Sequence, residues 1–329
     1  MKNNKNILIL SVGTRNKIVQ YFKENISEGK VIATDMSKYA PGLYEADKLY
    51  VTSSIKDPGY LDEILEICEK ENVSAILSLI DPELSLLANN KEKFESKGII
   101  LLQSSKDAIE LSFDKFQFYN EVSSLNFKTQ RSFTEYKSII DELEKNTLDF
   151  PLFVKPNLGS ASINNTKVFD IETLNNLFNN YDDLIVQEFI EGLEYGVDVY
   201  IDFISKKVVS IFVKEKMKMR AGETDKSIAI RDDKLFKIIE NFVLKMGYTG
   251  QIDIDIFKKG GVYYISEVNP RFGGGYPHAY ESGCNFPEFI IKNLNGIANE
   301  PEIGNYATNS VMMKYNEIKY LNKEVNSNE

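Results

Sequence analysis

The chain has 329 residues, 43% hydrophobic and 27% charged, a balance that excludes intrinsic disorder and predicts two or three packed lobes. Its formal net charge of −10 excludes a general nucleic-acid binder, which needs a basic face, but leaves room for a local phosphate pocket. Polar Met1 to Asn6 and the short apolar run Ile7 to Leu10 suit neither a signal peptide nor a membrane span, so a cytoplasmic protein without a membrane partner is expected.

The first hundred residues alternate strand and helix. Apolar Asn6 to Val12 reads as a buried parallel strand ending at Gly13, and Arg15 to Glu24 as a helix. Lys30 to Thr34 is a second strand with Asp35 at its end, followed by a helix over Pro58 to Asn72 and a strand over Ser74 to Ile80. Glu83 to Ser96 reads as one helix and Gly98 to Leu102 as a further strand. Such alternation predicts a doubly wound parallel sheet over residues 1–107, with ligands beyond the carboxyl ends of its strands. Gly13-Thr14-Arg15 and Asp81-Pro82-Glu83 fall there, making Arg15 and Glu83 candidates for substrate binding or for plain helix-start chemistry. Without G-x-G-x-x-G after the first strand, an NAD-type site is not expected. Cys68 lies on the apolar stripe of its helix, and it and Cys284, the only other cysteine, read as reduced thiols.

Ala108 to Leu125 reads as one helix carrying Asp114-Lys115. From Phe150 the character changes to strands and turns, predicting a small α+β lobe over about 128–203 and a strand-rich core over about 204–320. In Phe150 to Ser162 an apolar strand delivers Lys155, and a loop of Gly159, Ser160, Ala161 and Ser162 follows. Such a loop lets backbone N–H groups approach phosphate oxygens while lysine supplies a point charge, although a hairpin with a surface lysine has the same pattern. In Leu184 to Ile201 two apolar strands flank an acidic turn. The extended backbone at Gln187 to Phe189 suits an adenine edge, and a carboxylate further on suits ribose; a plain hairpin fits equally.

Lys214 to Ser227 is dense in charge and contains Gly222. It reads as a loop over a bound anion, with Arg220 its best candidate, or as an exposed basic loop. Strand alternation puts Asp253 and Asp255 on one face, and the return strand Val262 to Arg271 brings Glu267 and Asn269 near Asp255. Acids crowded between apolar residues repel one another unless cations sit among them, and hard oxygen ligands beside a nucleotide suit Mg²⁺. Arg271 is suited to hold a γ-phosphate or a substrate carboxylate. The glycines Gly273 to Gly275 permit close approach to a ligand, so Gly274, Tyr276 and His278 are expected to line an acceptor pocket. His278 is the only histidine, a general base or, as for most lone histidines, a positioning residue. Residues 321–329 read as a polar tail.

These elements, in this order, resemble the ATP-grasp superfamily, in its carbamoyl-phosphate-synthetase-like and pyrrolysine-biosynthesis-ligase-like branch. The resemblance runs over nearly the whole chain. It implies a pre-ATP-grasp domain (1–107), a two-lobed ATP-grasp domain (108–320), ATP, two Mg²⁺ ions with Mn²⁺ as an allowed substitute, and a homodimer as one possible assembly. By the same resemblance Lys115 and Lys155 touch ATP phosphates and Gly159 to Ser162 cover them. Gln187, Glu188, Phe189 and Ile190 hold adenine, Glu194 takes ribose, Asp255, Glu267 and Asn269 bind the metal, and Arg271 faces the transferred phosphate. The implied activity is ligation of a small carboxylate or amino acid to an amine or thiol through an acyl phosphate. The rival reading is an ATP-binding regulatory module of the same fold without turnover.

Overall fold

The computed structural model describes residues 5–159 and 165–321. The N-terminal strands β1 (Asn6–Leu10), β2 (Val31–Asp35), β3 (Lys48–Val51), β4 (Val73–Ser78) and β5 (Ile100–Leu101) form a parallel sheet in the order β3-β2-β1-β4-β5. All of β1 is buried because both faces are covered: Ile7 and Ile9 enter one core, Leu8 and Leu10 another. The core on the Ile7 side also contains Phe272, Tyr276 and Phe286, so this domain is welded to the C-terminal half through apolar contacts. The chain order reverses between β1 and β4, and the crevice beyond their carboxyl ends carries Arg15 and Asp81.

Two expected helices are broken. Glu83 to Ser96 divides into Asp81–Asn89 and Lys91–Glu95, because Asn90 (φ −119°, ψ 22°) leaves helical geometry. Ala108 to Leu125 divides into Lys106–Phe113 and Lys115–Ser124, since the Asp114 side chain accepts from the amides of Phe116 (3.1 Å) and Gln117 (3.0 Å). That cap makes Lys115 the first residue of the second helix.

Strands β6 (Ser132–Phe133), β7 (Leu152–Pro156), β8 (Thr166–Val168) and β9 (Leu184–Glu188) form a small antiparallel sheet in the order β6-β9-β7-β8. A larger antiparallel sheet follows: β10 (Leu193–Ile201), β11 (Val208–Arg220), β12 (Glu223–Ile230), β13 (Gly250–Lys259), β14 (Val262–Asn269) and β15 (Val311–Met313), in the order β14-β13-β10-β11-β12-β15. The expected lobe boundary near Phe203 does not match this division, because β10 pairs with β11 and β13 rather than with β9. On β10 and β13 the period-two pattern sends Tyr195, Val197, Val199, Ile252, Ile254 and Ile256 into the core under helix Asp233–Lys245. The opposite face of these strands is left with Glu194, Gly196, Asp198, Asp253 and Asp255.

Among the described residues no helix is long and apolar enough to cross a membrane. Both cysteines are buried free thiols, and burial raises each of them to about 12.

Candidate active site

The acidic face of the large sheet is set by strand register. Asp255 stands opposite Glu267 and Asp253 opposite Asn269 across β13 and β14, while Gly196 of β10 is the partner of Asp255 on the other side. Lysines enter from two directions. From β11, Lys216 Nζ lies 2.8 Å from Glu194 Oε1 and 2.6 Å from Asp255 Oδ1. Lys214 pairs with buried Asp198 and lies 4.0 Å from Asp253. From the small sheet, Lys155 Nζ reaches Glu267 Oε2 at 3.3 Å, so the two sheets meet across this pair. A cavity of about 410 Å³ opens between them, and its wall includes Lys115, Lys155, Lys216, Asp255, Glu267 and Asn269.

Lys115 arrives through its capped helix, with Nζ donating to the carbonyl oxygens of Asn157 (3.2 Å) and Gly159. Burial and the adjacent Lys155 lower its pKa against the pull of Glu267. Gly159 (φ +95°) uses a conformation that favours glycine, and its N–H donates to the Phe113 carbonyl (3.2 Å). Ser160, Ala161 and Ser162 lie outside the described residues.

Arg271 is buried. Its Nε and Nη2 both donate to Asp81 Oδ2 (2.9 and 2.8 Å), and Nη2 also donates to Asn269 Oδ1 (3.1 Å). Burial opposes its charge, but Asp81, Asp253 and Glu267 outweigh that and raise its pKa. Arg15 donates to the Leu79 carbonyl (2.6 Å) and the Phe272 carbonyl (3.1 Å), and it lies 3.5 Å from Glu223. It sits where the first cavity adjoins a larger one of about 1140 Å³; Glu223 and Gly274 line both as well. Segment 314–319 walls the larger cavity. Lys314 holds Glu223 (2.8 Å) and Lys319 holds Glu45 (2.8 Å), contacts that sequence periodicity had no means of revealing.

Several expected site residues stand elsewhere. Glu83 is wholly buried and accepts from Ser11 (3.0 Å), Ser78 and Tyr60, so its carboxylate supports the parallel-sheet domain instead of meeting a ligand. Glu83→Ala would strand these donors; a loss of roughly 3 kcal/mol and a lower Tm are expected, with nucleotide affinity unchanged by calorimetry. Tyr276 is a core residue whose hydroxyl donates to the Cys284 carbonyl (2.9 Å) and accepts from the Phe286 amide (2.9 Å). Arg220 is half-exposed and paired with Asp225 (2.9 Å) on the rim of the larger cavity. The expected basic loop is instead the hairpin of β11 and β12, turning at Ala221 and Gly222, and Lys214 and Lys216 are its cations that reach the acids.

Gln187 is buried and donates through Nε2 to Ser132 Oγ (2.9 Å). The Glu188 amide donates to the Arg131 carbonyl (2.8 Å), the Phe189 ring lies 3.6 Å from Lys167 Nζ, and Ile190 is buried. None of the four lines either cavity, whereas Glu194 joins the acidic face through Lys216.

His278 lines the larger cavity, but its ring is held by Ser227 Oγ at Nδ1 (2.7 Å) and Ser310 Oγ at Nε2 (3.1 Å). Burial, with Lys214 nearby, lowers it from 6.5 to about 4, so it is neutral at physiological pH. The unfolded chain binds this proton first as pH falls, so stability is lost progressively from about pH 6.5 toward 4. His278→Gln is expected to flatten that limb in urea melts taken at several pH values.

The donors fit a divalent metal. Asp255 and Glu267 are facing carboxylates with Asn269 beside them. Among the described residues no cluster of three or more Asp, Glu, His or Cys forms a full ligand set, and Mg²⁺ needs only one or two carboxylates besides phosphate and water. Facing carboxylates ringed by lysines, between two sheets and beside a parallel-sheet crevice, suit a metal-bound polyphosphate held against a second ligand.

Comparison with known proteins agrees with that class. Residues 7–102 match the family model of the PylC-like N-terminal domain and residues 112–275 that of the ATP-grasp domain. The chain belongs to the ATP-grasp family. It is 27% identical over 201 residues to a carbamoyl-phosphate synthase of Methanobrevibacter smithii, a match covering 58% of this chain and 51% of that one. It thus spans about half the length of that curated relative. In fold it is similar to the N5-carboxyaminoimidazole synthetase of Staphylococcus aureus (TM-score 0.74, 18% identity, 95% of this chain and 83% of that one). It is also similar to the biotin carboxylase domain of the Hydrogenobacter thermophilus 2-oxoglutarate carboxylase, a dimer in complex with MgADP, ADP and bicarbonate (TM-score 0.74, 16% identity, 93% and 73%).

Proposed function

We propose that this protein is an ATP-dependent ligase that activates a small carboxylate as an acyl phosphate and joins it to an amine, releasing ADP and phosphate. The observation that carries the reading is the facing pair Asp255 and Glu267, with Lys155 of the other sheet on Glu267 and Arg271 next to Asn269. The relative crystallised with MgADP and bicarbonate supports a nucleotide and a small acid sharing such a fold.

Asp255, Glu267 and Asn269 would hold Mg²⁺, as one or two ions or with Mn²⁺ in its place, and the metal would neutralise charge along the phosphate chain. Lys115 and Lys155 bind phosphate oxygens and Glu194, on the acidic face, takes the ribose; the family resemblance alone assigns the base to Gln187 to Ile190, which line neither cavity. Arg15, fixed at Nη1 by main-chain carbonyls from both halves of the molecule and with Nη2 3.5 Å from Glu223, lines both cavities and anchors the substrate carboxylate. A carboxylate oxygen attacks the γ-phosphorus and the bond to the β–γ bridging oxygen breaks, giving ADP. Arg271 and Lys155 offset the charge that develops. The amine nitrogen then attacks the acyl carbon, phosphate departs, and the amine proton passes to solvent.

The test is release of ADP and phosphate from MgATP across a matrix of carboxylic acids and amines, amino acids included. Release that requires one acid and rises with one amine is expected. Tight ATP binding with no acid-dependent release would overturn the ligase reading in favour of a nucleotide-binding module. A homodimer belongs to the same reading and is checked by sedimentation velocity.

A further inference from the structure

Lys216 is a buried lysine with an unusual pair of partners. Its side chain is only 4% exposed, yet its ammonium group joins Glu194 of β10 to Asp255 of β13, which are 32% and 29% exposed, and Asp255 lines the cavity. Three features hold it there. Strand alternation puts Lys214 and Lys216 on one face of β11, and continuing the pairing of Gly196 with Lys214 and Tyr195 with Glu215 sets Lys216 beside Glu194. Gly196 of β10, the strand between β11 and β13, leaves the room: a Cβ on it would lie 3.2 Å from Lys216 Cε and 3.0 Å from Lys214 Cε. Finally, Lys214 is committed to Asp198 and Asp253, and Lys155 to Glu267, so Lys216 is the lysine that balances Asp255.

We propose that Lys216 is the resident counter-cation of this site: it holds Glu194 and Asp255 in place in the free protein, bars bare divalent metal from Asp255, and so makes metal enter together with a nucleotide. The physical reason is competition for the same carboxylate oxygens. Metal arriving alone must displace an ammonium group already 2.6 Å from Asp255 and finds Glu267 engaged by Lys155. Metal arriving on a polyphosphate brings further oxygen ligands and enough negative charge to draw the lysines away from the acids, and the flexible stem of lysine permits that movement. The inference rests on the metal–nucleotide part of the proposed function and not on ligase turnover.

The test is Mn²⁺ binding by electron paramagnetic resonance, with and without ADP, together with thermal melting in EDTA and in millimolar MgCl₂. Wild-type protein is expected to bind Mn²⁺ weakly alone and tightly with ADP. Lys216→Met, with Lys216→Gln as a second uncharged variant, is expected to bind Mn²⁺ alone about tenfold more tightly or better. Both should melt lower than wild type in EDTA and regain most of the loss with MgCl₂, whereas Lys216→Arg should behave as wild type. Unchanged Mn²⁺ affinity in both uncharged variants, or a melting loss that MgCl₂ leaves untouched, would show a merely structural lysine and overturn the proposal. Wild-type protein that binds no Mn²⁺ even with ADP would overturn it together with the metal assignment. If the Mn²⁺ results are as expected and no acid yields phosphate, Lys216 keeps this role and only the ligase reading falls.

Discussion

Glu267→Gln is expected to reduce MgATP-dependent phosphate release roughly a thousandfold while leaving the fold intact. The side chain is a quarter exposed on the cavity wall, and an amide of the same shape keeps the strand pairing with Asp255. What it loses is charge. A neutral amide neither balances Lys155 at 3.3 Å nor binds Mg²⁺ as a carboxylate does. Metal-based charge stabilisation contributes several kcal/mol to a transition state, and each 1.4 kcal/mol is about tenfold in rate. The check is steady-state phosphate release beside a thermal melt. Turnover near wild type with an unchanged melt would remove Glu267 from the metal site, and the carboxylate pair would then carry no functional reading.

The second large effect is expected at Arg271. Its guanidinium group is aimed by Asp81 of the N-terminal domain, so a residue beyond one sheet orients the cation at the mouth of another. Arg271→Lys keeps a positive charge but loses the planar fork that donates to Asp81 and Asn269 together. A fall in kcat of about a hundredfold to a thousandfold is expected, the usual cost of removing one preorganised donor from a transition state. ADP affinity should change little, so calorimetry separates this effect from loss of nucleotide binding. Arg271→Ala is the wrong probe, because it leaves Asp81 buried without its cation, at a cost of roughly 3–5 kcal/mol in stability. Asp81→Asn is expected to lower kcat less than Arg271→Lys, since the arginine stays but is no longer aimed. Equal activity of Arg271→Lys and wild type would exclude Arg271 from the phosphoryl step.

Much of this molecule is legible in one dimension, and the reason is periodicity. β1 reads as a parallel strand because apolar residues on both faces leave a continuous apolar run. Asp253 and Asp255 share a face because strands alternate, and the short turn at Gly260 and Gly261 limits where Glu267 and Asn269 fall on the return strand. Lys155 at the end of an apolar strand is equally local. These features depend on spacing along one or two neighbouring strands, and spacing is what a sequence contains.

The misreadings share the opposite cause. Glu83 looks like a ligand residue at a strand end, yet Ser11 and Tyr60, distant in sequence, turn it into a buried acceptor. Arg220 looks like the functional cation of its segment, but it pairs with Asp225 on the rim of the larger cavity, while Lys214 and Lys216 meet the acids of the neighbouring strands. Tyr276 follows a glycine run that does line the cavities, and it turns inward because Cys284 and Phe286 offer its hydroxyl partners. The sequence by itself determined the fold class, the strand faces and the set of acids and cations at their ends, since these follow from local periodicity. Only the tertiary structure decided which cation meets which acid, because a hydrogen bond or ion pair between residues a hundred positions apart depends on how sheets and domains pack against one another.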